Sequence, residues 1–66
     1  MNLTVNGTPQ TLPERTTLAD LMTWENAAGH GCAAAVDGVV VPRGNWAAFV
    51  LSEGSSVEVL TAVQGG

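Results

Sequence analysis

The sequence ends in an apolar, alternating segment that runs into two glycines: Val57-Glu58-Val59-Leu60-Thr61-Ala62-Val63-Gln64-Gly65-Gly66. Valine-rich segments of this kind favour a strand inside a sheet. Glycine has no Cβ, so the end of the chain is a thin, flexible segment that carries one reactive group, the carboxylate of Gly66. The pattern predicts a strand around which the fold is organised. It also predicts a flexible tail, residues 64–66, that enters a narrow active site on another protein.

Length and charge limit the classes of function. The chain has 66 residues, which predicts a single domain, residues 1–66, with a small core, because such a domain buries only about 60% of the surface that its unfolded chain exposes. Six acidic residues and two arginines give a net charge of −4. Phosphate binding needs clustered positive charge, so nucleic acid is not expected as a partner. An acidic surface suits a basic protein partner, or simply solubility.

The cysteine count and the apolar segments indicate the compartment. Cys32 is the only cysteine, so no intrachain disulfide is possible, and no Cys/His cluster has metal-ligand spacing. The N-terminus lacks the basic flank and apolar run of a signal peptide, and no segment approaches the ~20 apolar residues of a membrane span. We expect a soluble, cytoplasmic protein that holds no metal.

Two turn signals predict two hairpins. Asn6-Gly7 follows an alternating N-terminal segment, and both turn positions tolerate positive φ. Residues 8–12 should return as a strand that Pro9 places at a sheet edge, where no ladder donor is needed. Asp37-Gly38 lies between Ala33-Ala34-Ala35-Val36 and Val39-Val40-Val41, which predicts a second strand, turn and strand.

A helix is predicted between the hairpins. Thr17 and Asp20 have the spacing of a capping box, and Gly29 is the expected stop, so we predict a helix over residues 17–28. Its apolar face should comprise Leu18, Leu21, Met22, Trp24 and Ala28. A short 3₁₀ turn over residues 43–49 should pack Trp46 or Phe49 against the sheet.

The order of elements predicts an α+β fold of the β-grasp type. A mixed sheet of about five strands would wrap around one main helix, with the last strand parallel to the first and central, since the helix supplies the crossover. The expected core contains Leu3, Val5, Leu21, Val57 and Val59.

Several segments resemble the thiamine-biosynthesis sulfur carrier (ThiS) family of ubiquitin-like proteins. They are residues 35–46, Glu53-Gly54 and the strand that ends in Gly65-Gly66, with Asn6-Gly7 and residues 17–22 also fitting. The diglycine is shared by every ubiquitin-like carrier. Val41-Pro42-Arg43, followed by Trp46 three residues after the arginine, is more discriminating.

The resemblance implies a sulfur carrier and not an enzyme, with no catalytic residue of its own. A partner similar to ubiquitin-activating enzymes would adenylate the Gly66 carboxylate with ATP and magnesium, turning its oxygen into a good leaving group. A persulfide from a sulfur donor such as a cysteine desulfurase would then displace AMP. The resulting thiocarboxylate would pass its sulfur to thiazole synthase, which builds the thiazole ring of thiamine. The sequence has no Walker-type loop, so ATP and magnesium would bind the partner and no cofactor would stay on this chain.

Leu60 is the main candidate for partner docking. If Val57 and Val59 face the helix, Leu60 points to the opposite face, with Ala62 on the same side. Ubiquitin-like proteins carry an apolar contact patch there. Val63 and Arg43 are further candidates, with Gln64 and Gly65 as the tail. Arg43 either contacts a partner or braces the turn after Pro42.

Four other side chains are interpreted as structural. We interpret Cys32 as a structural or incidental cysteine, and Trp24 and Trp46 as packing residues. His30 should be an exposed loop residue, because it has no neighbouring carboxylate or nucleophile.

Other functions remain open. The small subunit of molybdopterin synthase shares the fold and the thiocarboxylate chemistry, although its members usually run longer. A sulfur carrier for another pathway, such as cysteine synthesis, and a modifier conjugated to lysines are further alternatives. The remaining one is a β-grasp interaction module whose diglycine end is incidental.

Overall fold

The computed structural model describes residues 1–61, which form a mixed sheet with one α-helix packed on one side. In chain order the elements are β1 (Asn2–Val5), β2 (Thr8–Thr11), α1 (Leu18–Trp24), β3 (Ala33–Val36), β4 (Val39–Val40), a 3₁₀ helix (Arg43–Ala48) and β5 (Ser56–Leu60). The strand order across the sheet is β2-β1-β5-β3-β4. The predicted α+β, β-grasp architecture is therefore confirmed.

Strand β5 lies in the centre of the sheet, as predicted. It runs parallel to β1, with Val57 opposite Val5, and antiparallel to β3, with Leu60 opposite Ala33. The parallel pair is possible because the intervening chain crosses over through α1. Strand β2 is an edge strand, which suits Pro9 because it has no N–H to donate.

Both predicted hairpin turns are present and have the left-handed backbone that a two-residue turn requires. The φ angles are 51° at Asn6 and 81° at Gly7 in the first turn, and 50° at Asp37 and 84° at Gly38 in the second. These are the conformations that match the twist of the flanking strands. Strands β2 and β4 each end one residue earlier than predicted.

The capping box at the start of α1 is confirmed. The N–H of Asp20 donates to the hydroxyl oxygen of Thr17 (3.1 Å), and the N–H of Thr17 donates to the Asp20 carboxylate (3.2 Å). This pair satisfies two of the amide donors that every helix N-terminus leaves without a partner.

The predicted end of the helix at Ala28, with Gly29 as the stop, is wrong. The helix ends at Trp24 because Asn26 adopts a φ of 57°. The N–H of Asn26 donates to the carbonyl of Thr23 (3.1 Å), and the N–H of Ala27 donates to the carbonyl of Met22 (2.8 Å). This is a Schellman C-cap in which asparagine takes the left-handed position more often held by glycine.

The core lies between α1 and one face of the sheet. The predicted core residues Leu3, Val5, Leu21, Val57 and Val59 are all buried. Leu18 and Met22 on the helix are buried with them, but Trp24 is 54% exposed and Ala28 is also exposed, so these two predictions are wrong. At about 100° per residue, Trp24 lies about 120° around the helix from the centre of the face formed by the buried residues Leu18, Leu21 and Met22.

The 3₁₀ helix closes the open end of the core. Trp46 is 4% exposed, and its indole N–H donates to the carbonyl oxygen of Val41 at 2.8 Å. The prediction of a packing role for Trp46 is confirmed. Among the described residues, no helix has the length and apolar character needed to cross a membrane.

Candidate partner-docking surface

The face of the sheet that points away from α1 carries Leu60. Along β5, Val57 and Val59 are buried under the helix, while Glu58 and Leu60 are exposed on the other side. The side chain of Leu60 is 65% exposed, although it lies at the end of a central strand. The prediction that Leu60 points away from the helix is confirmed. Its role in partner binding stays a prediction.

Three more apolar residues share this face. Directly opposed residues in an antiparallel pair lie on the same side of a sheet. Leu60 is opposite Ala33, and Ala35 is opposite both Glu58 and Val40. Val40 is 69% exposed, and the two alanines are half-buried. We call the set Leu60, Ala33, Ala35 and Val40 the open-face patch.

The open-face patch is confined to one half of the sheet. On β1 and β2 the residues that face the same way are polar or proline, since Thr4 lies opposite Pro9 and Asn2 opposite Thr11. Ser56, beside Thr4, begins β5 on the same face. Glu58, which lies opposite Ala35, places a carboxylate beside the patch on β5. The apolar residues of this face therefore include Leu60, the last residue of β5, and lie on the β3 and β4 side of that strand.

Sequence analysis found Leu60 but missed the other members of the patch. The missing information was the register between β3, β4 and β5, which the local sequence does not specify. The alternation of Ala33 and Ala35 with buried Ala34 and Val36 was a usable signal, because the period of two assigns the first pair to the face opposite the core.

The base of the tail is held from both sides. Leu60 pairs with Ala33 on the β3 side. On the β1 side, the N–H of Val59 donates to the Asn6 side-chain oxygen (2.8 Å), and the Asn6 side-chain amide donates to the Val59 carbonyl (3.2 Å). Thr61 is exposed and is the last residue described. The predicted site residues Ala62, Val63, Gln64, Gly65 and Gly66 lie outside the described residues, so their roles stay predictions.

Arg43 is engaged in contacts within the chain. Its guanidinium donates to the carbonyl oxygen of Ala28 at 2.6 Å and also to that of Gly29. The same group lies 4.7 Å from the ring centroid of Trp46. These contacts brace the 3₁₀ helix against the loop after α1, which is one of the two roles expected from the sequence. A partner contact by Arg43 stays a prediction.

The remaining candidates lie away from the open-face patch. Cys32 is a half-buried free thiol that packs against the core, and His30 is exposed in its loop. The interpretation of Trp24 as a packing residue is wrong, because more than half of its surface is exposed. Residues 1–61 contain no cluster of metal-ligating side chains and form no pocket. The open-face patch is an exposed apolar surface at the end of β5, and such a surface suits binding to another protein.

Comparison with known proteins supplies the family. A search of curated proteins found no match. A crystal structure of the thiamine biosynthesis protein ThiS from Geobacter metallireducens is 32% identical, with a TM-score of 0.80 and 100% of both chains covered. An NMR solution structure of a thiamine biosynthesis protein from the same organism is 31% identical, with a TM-score of 0.81, and the match covers 100% of this chain and 88% of that one. The model of the ThiS family matches residues 3–66, and the chain belongs to this family.

Proposed function

We propose that this chain is a sulfur carrier for the synthesis of the thiazole ring of thiamine. Membership of the ThiS family supports a sulfur carrier role, and the similar Geobacter metallireducens structures are of thiamine biosynthesis proteins. The single observation that carries the proposal is that the family match runs through the diglycine to residue 66. The reacting group is the carboxylate of Gly66.

The proposed chemistry activates this carboxylate in two steps. Its oxygen attacks the α-phosphorus of ATP on an activating enzyme, which releases pyrophosphate and leaves an acyl adenylate. A persulfide sulfur then attacks the acyl carbon and expels AMP, and a thiol cleaves the sulfur–sulfur bond to leave the thiocarboxylate. Adenylation is needed because a free carboxylate has no good leaving group. Thiazole synthase accepts the sulfur.

The carrier presents its tail to the active site of the partner, and the partner supplies the catalytic groups. β5 is a central strand held by β1 and β3, and it ends next to the open-face patch. Fully extended, residues 61–66 reach at most about 20 Å from the sheet. An active site on the partner can therefore be buried while the folded domain remains on the partner's surface.

Docking is proposed to occur through the open-face patch. Leu60 and Val40 are the large apolar side chains of the patch, and both are more than 60% exposed. The carboxylate of Glu58 on the same face and the net charge of −4 fit a partner with an apolar centre and a basic rim. The activating enzyme and thiazole synthase must both orient the same tail, so both use this patch and cannot bind at once.

The test is the intact mass of the protein isolated from cells that make thiamine. We expect a species in which one oxygen has been replaced by sulfur, and fragmentation should place the change on Gly66. The control is a variant that lacks Gly66, in which this species should be absent. Purified parent protein that shows only the unmodified mass, and that releases no pyrophosphate with the activating enzyme and ATP, would contradict the proposal.

A further inference from the structure

The side chain of Asn6 supplies hydrogen bonds to β5 beyond the point where β1 ends. The backbone pairing of β1 with β5 ends with the N–H of Asn6, which donates to the carbonyl of Val57 at 2.8 Å. The next groups of β5 that point to this side are the N–H and C=O of Val59. Both are bound by the Asn6 side chain, at 2.8 and 3.2 Å.

We call these two hydrogen bonds between the Asn6 side chain and Val59 the clasp. The geometry of the turn makes it possible. Asn6 occupies the first central position of the hairpin with a φ of 51°, a conformation that asparagine tolerates better than most residues. A primary amide presents one donor and one acceptor side by side, so it can replace the backbone of an absent neighbouring residue. Without it, Val59 would have no partner for these two groups on the β1 side.

We propose that Asn6 is a positioning residue for the sulfur-transfer reaction: it fixes the last part of β5 and so sets where the reactive tail leaves the sheet. This inference rests on the proposed function. The clasped residue, Val59, lies immediately before Leu60 and two positions before Thr61, the last described residue. Asn6 therefore acts on the last part of β5, close in sequence to the residues that carry the reactive carboxylate.

The other hairpin contains a matched contact at the opposite end of β5. Asp37 has a φ of 50°, its N–H donates to the carbonyl of Ser56 (2.8 Å), and its carboxylate accepts from the N–H of Ser56 (2.9 Å). Asp37 thus holds the first residue of β5 through its backbone N–H and its carboxylate, whereas Asn6 holds the penultimate residue through both polar atoms of its side chain. Of the two, only Asn6 is near the tail.

Loss of the clasp should leave the end of β5 held on the β3 side alone. The ladder on the β1 side would then end at Val57, and the Gly66 carboxylate would sample a larger volume when the domain is docked. Ordering each additional backbone residue is costly enough to lower the productive fraction about tenfold. The patch residues on β3 and β4 remain in place, so the loss should fall on kcat for adenylation more than on KM for the carrier.

The experiment compares Asn6→Gly with Asp37→Gly. Glycine accepts the positive φ at both turn positions, so neither turn is strained. Asn6→Gly removes the two side-chain hydrogen bonds to Val59, and Asp37→Gly removes the one to Ser56. The unfolding temperature should fall in both variants, and the assay temperature is set below both transitions. The kcat for pyrophosphate release with the activating enzyme should fall about tenfold in Asn6→Gly alone. Asp37→Asn tests the effect of the charge that Asp37→Gly also removes.

Amide hydrogen exchange gives a second readout that does not depend on the partner. Faster exchange at the N–H of Val59 in Asn6→Gly, but not in Asp37→Gly, is the expected result. Asn6→Asp keeps the acceptor for this N–H and loses the donor to the carbonyl, so it should restore part of the protection and part of kcat. If Asn6→Gly is unfolded at the assay temperature, Asn6→Asp replaces it in the comparison.

The outcomes separate this inference from the proposed function. Equal losses of kcat in Asn6→Gly and Asp37→Gly would make Asn6 a merely structural residue and overturn the inference. An unchanged kcat or unchanged Val59 exchange in Asn6→Gly would overturn it as well. A parent protein that is not adenylated at all would instead refute the proposed function, and the positioning role with it.

Discussion

The indole nitrogen of Trp46 donates a hydrogen bond of 2.8 Å to the backbone carbonyl oxygen of Val41. This bond joins the 3₁₀ helix to the residue that follows β4, and both residues are buried. The guanidinium of Arg43 lies over the Trp46 ring, 4.7 Å from its centroid. One side chain therefore closes the core and satisfies a buried carbonyl group.

Trp46→Phe should destabilise the protein without affecting the tail. Phenylalanine fills part of the volume but cannot donate to the Val41 carbonyl, and an unsatisfied buried acceptor costs about 1–3 kcal/mol in the free energy of unfolding. Chemical denaturation measures this change. Trp24→Phe is the control, because Trp24 is 54% exposed and its replacement should shift stability by no more than about 0.5 kcal/mol. Equal losses in the two variants would contradict the assigned role of the hydrogen bond.

Val40→Asp tests whether the open-face patch binds the partners. The substitution places a carboxylate in the proposed contact, where it would lose its water without gaining a partner. We expect binding to the activating enzyme, measured by calorimetry, to weaken at least about tenfold, as at an interface hot spot. Leu60→Asp should have the same effect, and both variants should also bind thiazole synthase more weakly than the parent.

Val39→Asp is the matched control for the patch. Val39 adjoins Val40 on the same edge strand and is exposed to nearly the same extent, 67% against 69%, but it pairs with Val36 and so belongs to the other face. Both aspartates disfavour the strand equally, so the two unfolding temperatures should agree. Binding of Val39→Asp should match the parent. A loss in Val39→Asp as large as in Val40→Asp would place the contact at the strand edge and not on the open face.

Local signals in the sequence predicted most of the fold. Asn6-Gly7, Asp37-Gly38 and the Thr17/Asp20 capping box each specify a turn or a helix start within a few residues, and each is present in the structure. The helix end was missed because two residue types accept a left-handed backbone. Glycine is the residue more often found at this position, so Gly29 was predicted to end the helix. Asn26 is the residue that adopts the left-handed backbone.

The candidate site was predictable only in part, because it depends on strand register. The period of two along β5 was enough to assign Leu60 to the face opposite the helix. Whether Val40 lies beside it depends on how β3 pairs with both β4 and β5, which is a long-range relationship. The Asn6 clasp was equally hidden, since Val59 lies 53 residues away along the chain.

Gly65→Ala should abolish adenylation while leaving the folded domain unchanged. Under the proposed function, the added methyl group would block the narrow channel that we expect to admit the tail on the activating enzyme, and deletion of Gly66 would shift the reacting carbon by one residue. Pyrophosphate release and the intact mass measure the loss, and thermal unfolding should match the parent. Gly44→Ala is the control for the substitution itself, because a Cβ at Gly44 meets no atom within 4 Å and its backbone is unstrained. If Gly65→Ala formed the thiocarboxylate at the parent rate while Gly44→Ala did the same, the diglycine would not be the part of the chain that enters the active site.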